Sequence, residues 1–292
     1  MKVVPFTIPV AKEHSIIVQE DLLPYFYNYL HRHNEIQITW VIAGEGTLIA
    51  GNYMHPFKAD DIFIIGSNQP HIFKSDASYF NARSKQQVQA LTIFFHPKGL
   101  LSALLSLPEM GSVRKFIQTT DFGLQVPATL RKKIADDMLK VKNMEASLRL
   151  AAFIQLLHQL SSIKDYHLLS TITDDLHISD TEGLRMNDIY QYTMGNYAEN
   201  ITLAQVSSVA HLTPQAFCRY FKKHTRKTYL TFLNEIRINE AAKKIVSGNF
   251  ESISSVAYQC GFVHVANFNR VFKKVTGKSP KQYLKEYRHK VN

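Results

Sequence analysis

Two nine-residue stretches carry the same chemistry fifty-one residues apart: FCRYFKKHT from Phe217 and FNRVFKKVT from Phe268 agree at Phe, Arg, Phe, Lys, Lys and Thr. On a helix, Phe217 and Phe221 share one face, as do Phe268 and Phe272, so the aromatics turn toward a core. The opposite face then presents Gln215, Cys218, Arg219 and Lys222 in the first copy, and Asn267, Arg270 and Lys273 in the second. Arg matches the two acceptors of guanine, and Asn or Gln the donor and acceptor of adenine, which makes Gln215, Arg219, Asn267 and Arg270 candidate base readers. Lys222, Lys223, Lys273 and Lys274, with the hydroxyl of Thr213, suit phosphate oxygens. The alternative is a solvated basic face above a phenylalanine core, and a second copy of the pattern argues against it.

The elements that must hold these side chains are helices. QVSSVAHL from Gln205 aligns with SVAYQCGF from Ser255, so the repeated unit is a helix with a small residue (Ser207, Ala257), a turn (His211, Gly261) and a second helix. That is a helix-turn-helix, whose second helix enters the DNA major groove. Hydroxyl N-caps are legible at Thr202, Thr213, Ser252 and Ser279, and Pro214 and Pro280 follow two of them at the first helical position. The charge lies in the same place. Residues 185–292 hold 17 Lys and Arg against 6 Asp and Glu, a net +11, whereas residues 1–184 hold 17 against 18, a net −1. A folded segment so basic attracts a polyanion and releases its counterions on binding.

The stretch from ITLAQVSSVAHLTPQAF to VTGKSPKQYL resembles the DNA-binding domain of AraC/XylS-type transcriptional regulators over roughly residues 186–288. Its most specific part is ISSVAYQCGFVHVANFNRVFKKVTGKSPKQY. The resemblance implies two helix-turn-helix units joined by a long helix, here TYLTFLNEIRINEAAKKIVSG ending at Gly248, that insert recognition helices into successive major grooves about 34 Å apart. It also implies a homodimer, contact with RNA polymerase and action as an activator. Ser207, His211 and Arg226 depart from the family pattern, standing for Ala, a turn Gly and a terminal Gly, and Val263 stands where a capping hydroxyl is common. A non-glycine residue at positive φ is costly, so the first unit is expected to be turned at some expense.

Residues 3–95 read as short alternating strands, among them IQITWVIAG, TLIAG, DIFIIG and VQALTIFF. On the strand starting near His31, His33, Glu35, Gln37 and Thr39 share a face with it, and Ile36, Ile38, Trp40 and Ile42 share the other. From His31 to Phe73 the order H-x-H, Gly44-Glu45-Gly46, a strand I-x-I-I and Pro70-His71 resembles the two motifs of a cupin barrel. That resemblance brings His71 toward His31 and His33, where cupin enzymes hold a metal. The metal-binding Glu of that family is here Gln37, and a neutral amide is a poor partner for a divalent ion beside imidazoles. Three readings stand: an effector pocket lined by His31, His33, Glu35, Gln37 and His71, a structural cluster, or a catalytic metal site. Asp60 stands at a Gly position of the second motif, which an Asp in the left-handed region can fill.

The chain of 292 residues suits two domains. Leu100 to Leu105 and Leu148 to Leu160 recur at three- and four-residue steps, the period of helices. The expected organisation is a multidomain α+β protein: an all-β cupin-like barrel (1–97), a helical pair that could serve dimerisation (98–170), a linker (171–185) and an all-α DNA-binding domain (186–292). Cys218 and Cys260 have no metal-binding or disulfide spacing and read as small buried residues in a reducing compartment. No signal peptide or membrane span is legible, which points to the cytoplasm. No G-x-S-x-G, P-loop or paired nucleophile and base occurs, so no catalytic residue, metal or cofactor is assigned and the chain is not read as an enzyme. The functional expectation is a sequence-specific DNA-binding regulator responding to a small effector. The alternative is a metal-dependent cupin enzyme fused to a DNA-binding domain.

Overall fold

The computed structural model describes residues 7, 14–51, 53–81, 83–170, 179–248 and 250–291. Its contacts divide into two compact units, Met1–Leu184 and Arg185–Asn292.

The first unit starts with strands β1 (Ile16–Leu23), β2 (Ile36–Ala43), β3 (Gly46–Ala50), β4 (Tyr53–Phe57), β5 (Ile62–Ile65), β6 (His71–Ser75) and β7 (Val88–Phe95). Helices α1 (Ser102–Leu105) and α2 (Gly111–Thr119) follow, then β8 (Leu124–Gln125), α3 (Arg131–Asn143), α4 (Ala146–Ser161) and β9 (His167–Leu168). The strands form two antiparallel sheets, in the orders β1-β7-β2-β5-β8-β9 and β4-β3-β6. Ile38 lies opposite both Ile64 and Ile93, so β2 is central and buried on both faces. Its outward isoleucines, with Ile64, Ile93 and Phe95, pack under Phe116, Met138, Phe153 and Leu157 of the helices. Full burial of each such side chain contributes about 1.5–3 kcal/mol. Between the sheets lie Val41, Leu48, Phe57, Phe63, Ile65, Phe73 and Val88.

The two-residue strands β8 and β9 come from the segment read as helical, so residues on both sides of position 97 build one sheet. Asp60 turns the chain between β4 and β5 at φ 70, in the left-handed region. Next to it, buried Asp61 accepts from the Lys58 N–H at 2.9 Å and pairs with Arg131 at 2.6 Å.

Most of the expected linker, residues 171–178, lies outside the described residues. Helix α5 (Asp180–Asn196) begins within the expected linker span, behind a reciprocal cap in which Ser179 N donates to Glu182 Oε2 at 3.0 Å and Glu182 N to Ser179 Oγ at 3.2 Å. The second unit continues with α6 (Leu203–Val209), α7 (Pro214–Thr225), α8 (Tyr229–Ser247), α9 (Ile253–Gln259), α10 (Val265–Thr276) and α11 (Pro280–Val291). Helix α8 is the axis. The rings of Tyr229 and Phe232 near its start lie 5.4 and 5.3 Å from Phe217 and Phe221, respectively, while Ile238, Ala241 and Ile245 join a core with Val256, Phe268 and Phe272. Its 19 residues span about 28 Å at 1.5 Å each. Among the described residues no helix is long and apolar enough to cross a membrane.

Candidate functional site

Two helix pairs with short turns, α6–α7 and α9–α10, repeat one backbone design. In the first turn Leu212 N donates to Ser207 O at 2.9 Å, and in the second Phe262 N donates to Ala257 O at 3.1 Å. His211 sits at φ 53 where Gly261 sits at φ 79, and Arg226 ends α7 at φ 55 where Gly277 ends α10 at φ 78. The first unit therefore adopts the same left-handed turns with side chains that resist them. Thr202 and Ser252 cap α6 and α9 in reciprocal capping boxes, Thr213 caps α7 through Ala216 N, and Ser279 caps α11 through Gln282 N. Helix α10 has no such cap. Its N-cap is His264, one residue after the Val263 named from sequence, and the imidazole makes no capping bond.

The division of faces is complete. Phe217, Phe221, Phe268 and Phe272 are fully buried, and Gln215, Arg219, Lys222, Lys223, Asn267, Arg270, Lys273, Lys274 and Thr213 are exposed. Cys260 is buried, but Cys218 is exposed, since it follows Phe217 by one helical step and is carried away from the core. Arg270 Nη2 donates to Asn267 Oδ1 at 2.9 Å, so these two candidate readers meet as a pair.

The repeat also runs further than the nine residues. Lys227 pairs with Glu235 at 2.7 Å and Lys278 pairs with Glu286, each bond reaching from a turn onto the following helix. The offset of fifty-one, carried onward through Thr228 and Ser279, would have revealed both pairs. Arg237 on α8 ties the unit together: Nε donates to Tyr197 O and Nη2 to Glu199 O, both at 2.8 Å, while the guanidinium lies 5.8 Å from the Phe262 ring.

Residues 206–286 match the helix-turn-helix domain family. The C-terminal unit is an AraC/XylS-type helix-turn-helix domain. The HTH-type transcriptional regulator YfiF of Bacillus subtilis is 24% identical over 277 residues, covering 90% of this chain and 81% of its own. The raffinose operon transcriptional regulatory protein RafR of Pediococcus pentosaceus is 25% identical, covering 91% of both chains. ToxT from Vibrio cholerae is a solved structure that covers 93% of this chain and 98% of its own, at 17% identity and a TM-score of 0.35. Ahead of the AraC-type domain stands the antiparallel sheet unit, consistent with a cupin-like sensor.

Inside that unit the structure brings the histidines together. His31 and His71 exchange backbone hydrogen bonds at 3.1 and 2.9 Å, and His31, His33 and His71 offer ring nitrogens within 4.8 Å of one another. Each Nδ1 faces a backbone carbonyl: His31 to Tyr29 O at 2.9 Å, His33 to Glu35 O at 2.9 Å and His71 to Gln69 O at 2.8 Å. A carbonyl only accepts, so each Nδ1 carries the proton. Burial pushes all three imidazoles down, His31 to about 4, and keeps them neutral. Their Nε2 atoms are therefore acceptors.

The amide of Gln37 lies between two of them, one terminal atom 2.9 Å from His33 Nε2 and 3.0 Å from His71 Nε2, the other 2.7 Å from Thr39 Oγ1. An oxygen facing the rings would require two adjacent buried imidazolium ions, which desolvation forbids. With the NH2 facing them, each ring receives one hydrogen, the amide oxygen accepts from Thr39 Oγ1, and Thr39 accepts from Thr92 at 3.1 Å.

Towards a metal the arrangement offers the ring nitrogens of His31, His33 and His71, while the fourth neighbour is the neutral Gln37 amide instead of a carboxylate, and the Glu35 carboxylate lies 3.8 Å from His33 Nδ1, the nitrogen already protonated.

Proposed function

We propose that this protein is a DNA-binding transcriptional regulator whose two recognition helices, α7 and α10, read successive major grooves. The observation that carries the reading is the doubled helix-turn-helix with its aromatics fully buried and its Arg, Asn, Gln and Lys residues exposed in both copies. Gln215, Arg219, Asn267 and Arg270 are its base readers, and Thr213, Lys222, Lys223, Lys273 and Lys274 its phosphate contacts. The test compares binding to specific and random DNA across salt concentrations. Arg219→Ala and Arg270→Ala each lose about 1–3 kcal/mol of discrimination, while Lys223→Ala weakens both kinds of DNA alike and lowers the salt slope by about one. Equal losses on specific and random DNA in the Arg variants remove their assignment as readers.

The sheet unit is the sensor in this reading. A small effector at its polar cluster, His31, His33, Glu35, Gln37 and His71, shifts the regulator only insofar as it binds two arrangements unequally. Helices α3 and α4 are the proposed homodimer contact, RNA polymerase the proposed partner on the promoter, activation the proposed sign, and the cytoplasm the proposed location. The Gln37 amide disfavours the alternative of a metal-dependent enzyme.

A further inference from the structure

A second imidazole pair lies apart from the buried trio. His55 on β4 and His167 on β9 face each other with their Nε2 atoms 3.4 Å apart, ring centroids 4.5 Å apart and ring planes at 78°. The two strands occupy comparable places: β4 is the end strand of the three-stranded sheet and β9 the end strand of the six-stranded one. The pair thus spans the seam where both sheets stop.

We propose that His55 and His167 hold a divalent transition metal ion, zinc or a neighbour such as nickel, across this seam. The distance is the main argument. Two imidazole nitrogens bound to one tetrahedral zinc at about 2.0–2.1 Å lie about 3.4 Å apart, which is the observed spacing. As a shared hydrogen bond the same spacing is long, since N–H donors normally sit about 2.7–3.2 Å from their acceptors. The pair is therefore set for an ion better than for a proton, and no backbone has to move to receive one.

Imidazole is a suitable ligand for zinc, nickel and copper and a poor one for magnesium or calcium, which fixes the class of ion. Access is open, because His167 is exposed and His55 only partly buried. Two imidazoles are the ligands the described residues supply, and a site with so few protein ligands binds reversibly and follows the free metal concentration. The consequence is mechanical: His167 stands just before residues 171–185, and a bound ion fastens the strand leading into that segment onto β4.

The experiment uses the full-length protein without an affinity tag. Cobalt(II) is titrated first, with the visible absorption of a four-coordinate centre as the readout, and zinc is then used to displace it. Saturable binding of one ion is expected in the wild type and in His31→Gln, and its loss in His55→Gln and in His167→Gln. Because His167 is exposed, the His167→Gln variant should fold as the wild type does, which circular dichroism checks. Binding that persists in both His55→Gln and His167→Gln, or no saturable binding in the wild type, overturns the proposal. Loss in His31→Gln together with persistence in His167→Gln would place the ion at the buried trio instead.

Discussion

Replacing Gly261 by Ala tests whether the second turn and the Arg237 contacts form one mechanical piece. A methyl group at Gly261 would lie 2.8 Å from Tyr197 O, 2.8 Å from Ala198 O and 2.9 Å from Arg237 Nε, at a φ of 79°. Three contributions set the size of the effect. The left-handed backbone costs a residue with a β-carbon about 1–2 kcal/mol. Displacing the Tyr197 carbonyl breaks its 2.8 Å bond from Arg237, and a hydrogen bond to a charged group contributes about 1.5–3 kcal/mol. Reduced freedom of the unfolded chain returns about 0.4–1 kcal/mol. The balance is a loss of about 2–4 kcal/mol.

The chain supplies two probes for urea unfolding. Trp40 on β2 is the only tryptophan and reports the first unit, whereas far-ultraviolet circular dichroism is dominated by helices, of which the second unit is almost wholly built. With a slope of about 1–3 kcal/mol per molar urea, the helical transition should move down by about 1–2 M. A change below about 0.5 kcal/mol, within the range of an ordinary surface substitution, would refute the reasoning, because the carbonyls would then have room to yield.

The opposite substitution, His211→Gly, relieves a strained turn and should leave the helical transition unchanged or raise it by up to about 1 kcal/mol in the same assay. Thr202→Ala removes the reciprocal cap of α6 and should cost about 1 kcal/mol. In a His167→Gln background, where the proposed His55–His167 site is removed, Gln37→Glu puts a carboxylate beside His33 and His71 and should give saturable zinc binding, measured by calorimetry and lost again on adding His33→Ala; no gain over the His167→Gln parent would contradict the reading that the neutral amide weakens the trio as a metal site. For pH, the folded pKa values of His31, His33 and His71 lie below the unfolded value near 6.5. The unfolded chain then binds more protons below that pH, so stability is full above about 6.5 and falls as the pH drops toward 4. The urea midpoint seen by Trp40 fluorescence should accordingly be lower at pH 5 than at pH 7, and an unchanged midpoint would count against the buried neutral trio.

What could be read from the sequence was whatever a single residue type imposes on the backbone. Thr202, Thr213, Ser252 and Ser279 cap helices because a hydroxyl before an apolar run has one orphan donor to satisfy, and all four do so here. Asp60, His211 and Arg226 stand at Gly positions of recognisable motifs, and the backbone there is left-handed. The strand face that holds Gln37 and Thr39 followed from alternation alone.

Other features had no such signature. Strands β8 and β9 are two residues long, too short for a period of two to show, and only the fold adds them to the sheet. No hydroxyl marks the N-cap of α10, so the sequence points to Val263 while the helix begins after His264. Residue type alone puts Cys218 in a core, whereas its step from Phe217 decides its exposure. The cap at Ser179 has the S-x-x-E pattern, but it lies inside a polar, aperiodic segment whose composition reads as linker. The proton order of the histidine cluster needed distances, since composition alone does not distinguish an amide that accepts from one that donates.

Arg237 gives the domain a property that neither helix-turn-helix has alone. By holding the loop before the first helix pair and the turn of the second against one long helix, it removes their freedom to reorient independently. In the proposed reading, once α7 is seated in a groove, α10 arrives at a high effective concentration with little further entropy to lose. The same rigidity makes the pair intolerant of phase: moving the two half-sites apart by about 5 base pairs, half a helical turn, turns the second groove to the far side of the duplex. A tandem reader on a flexible tether would weaken gradually under that insertion, whereas this one should fall at once to the affinity of a single helix pair.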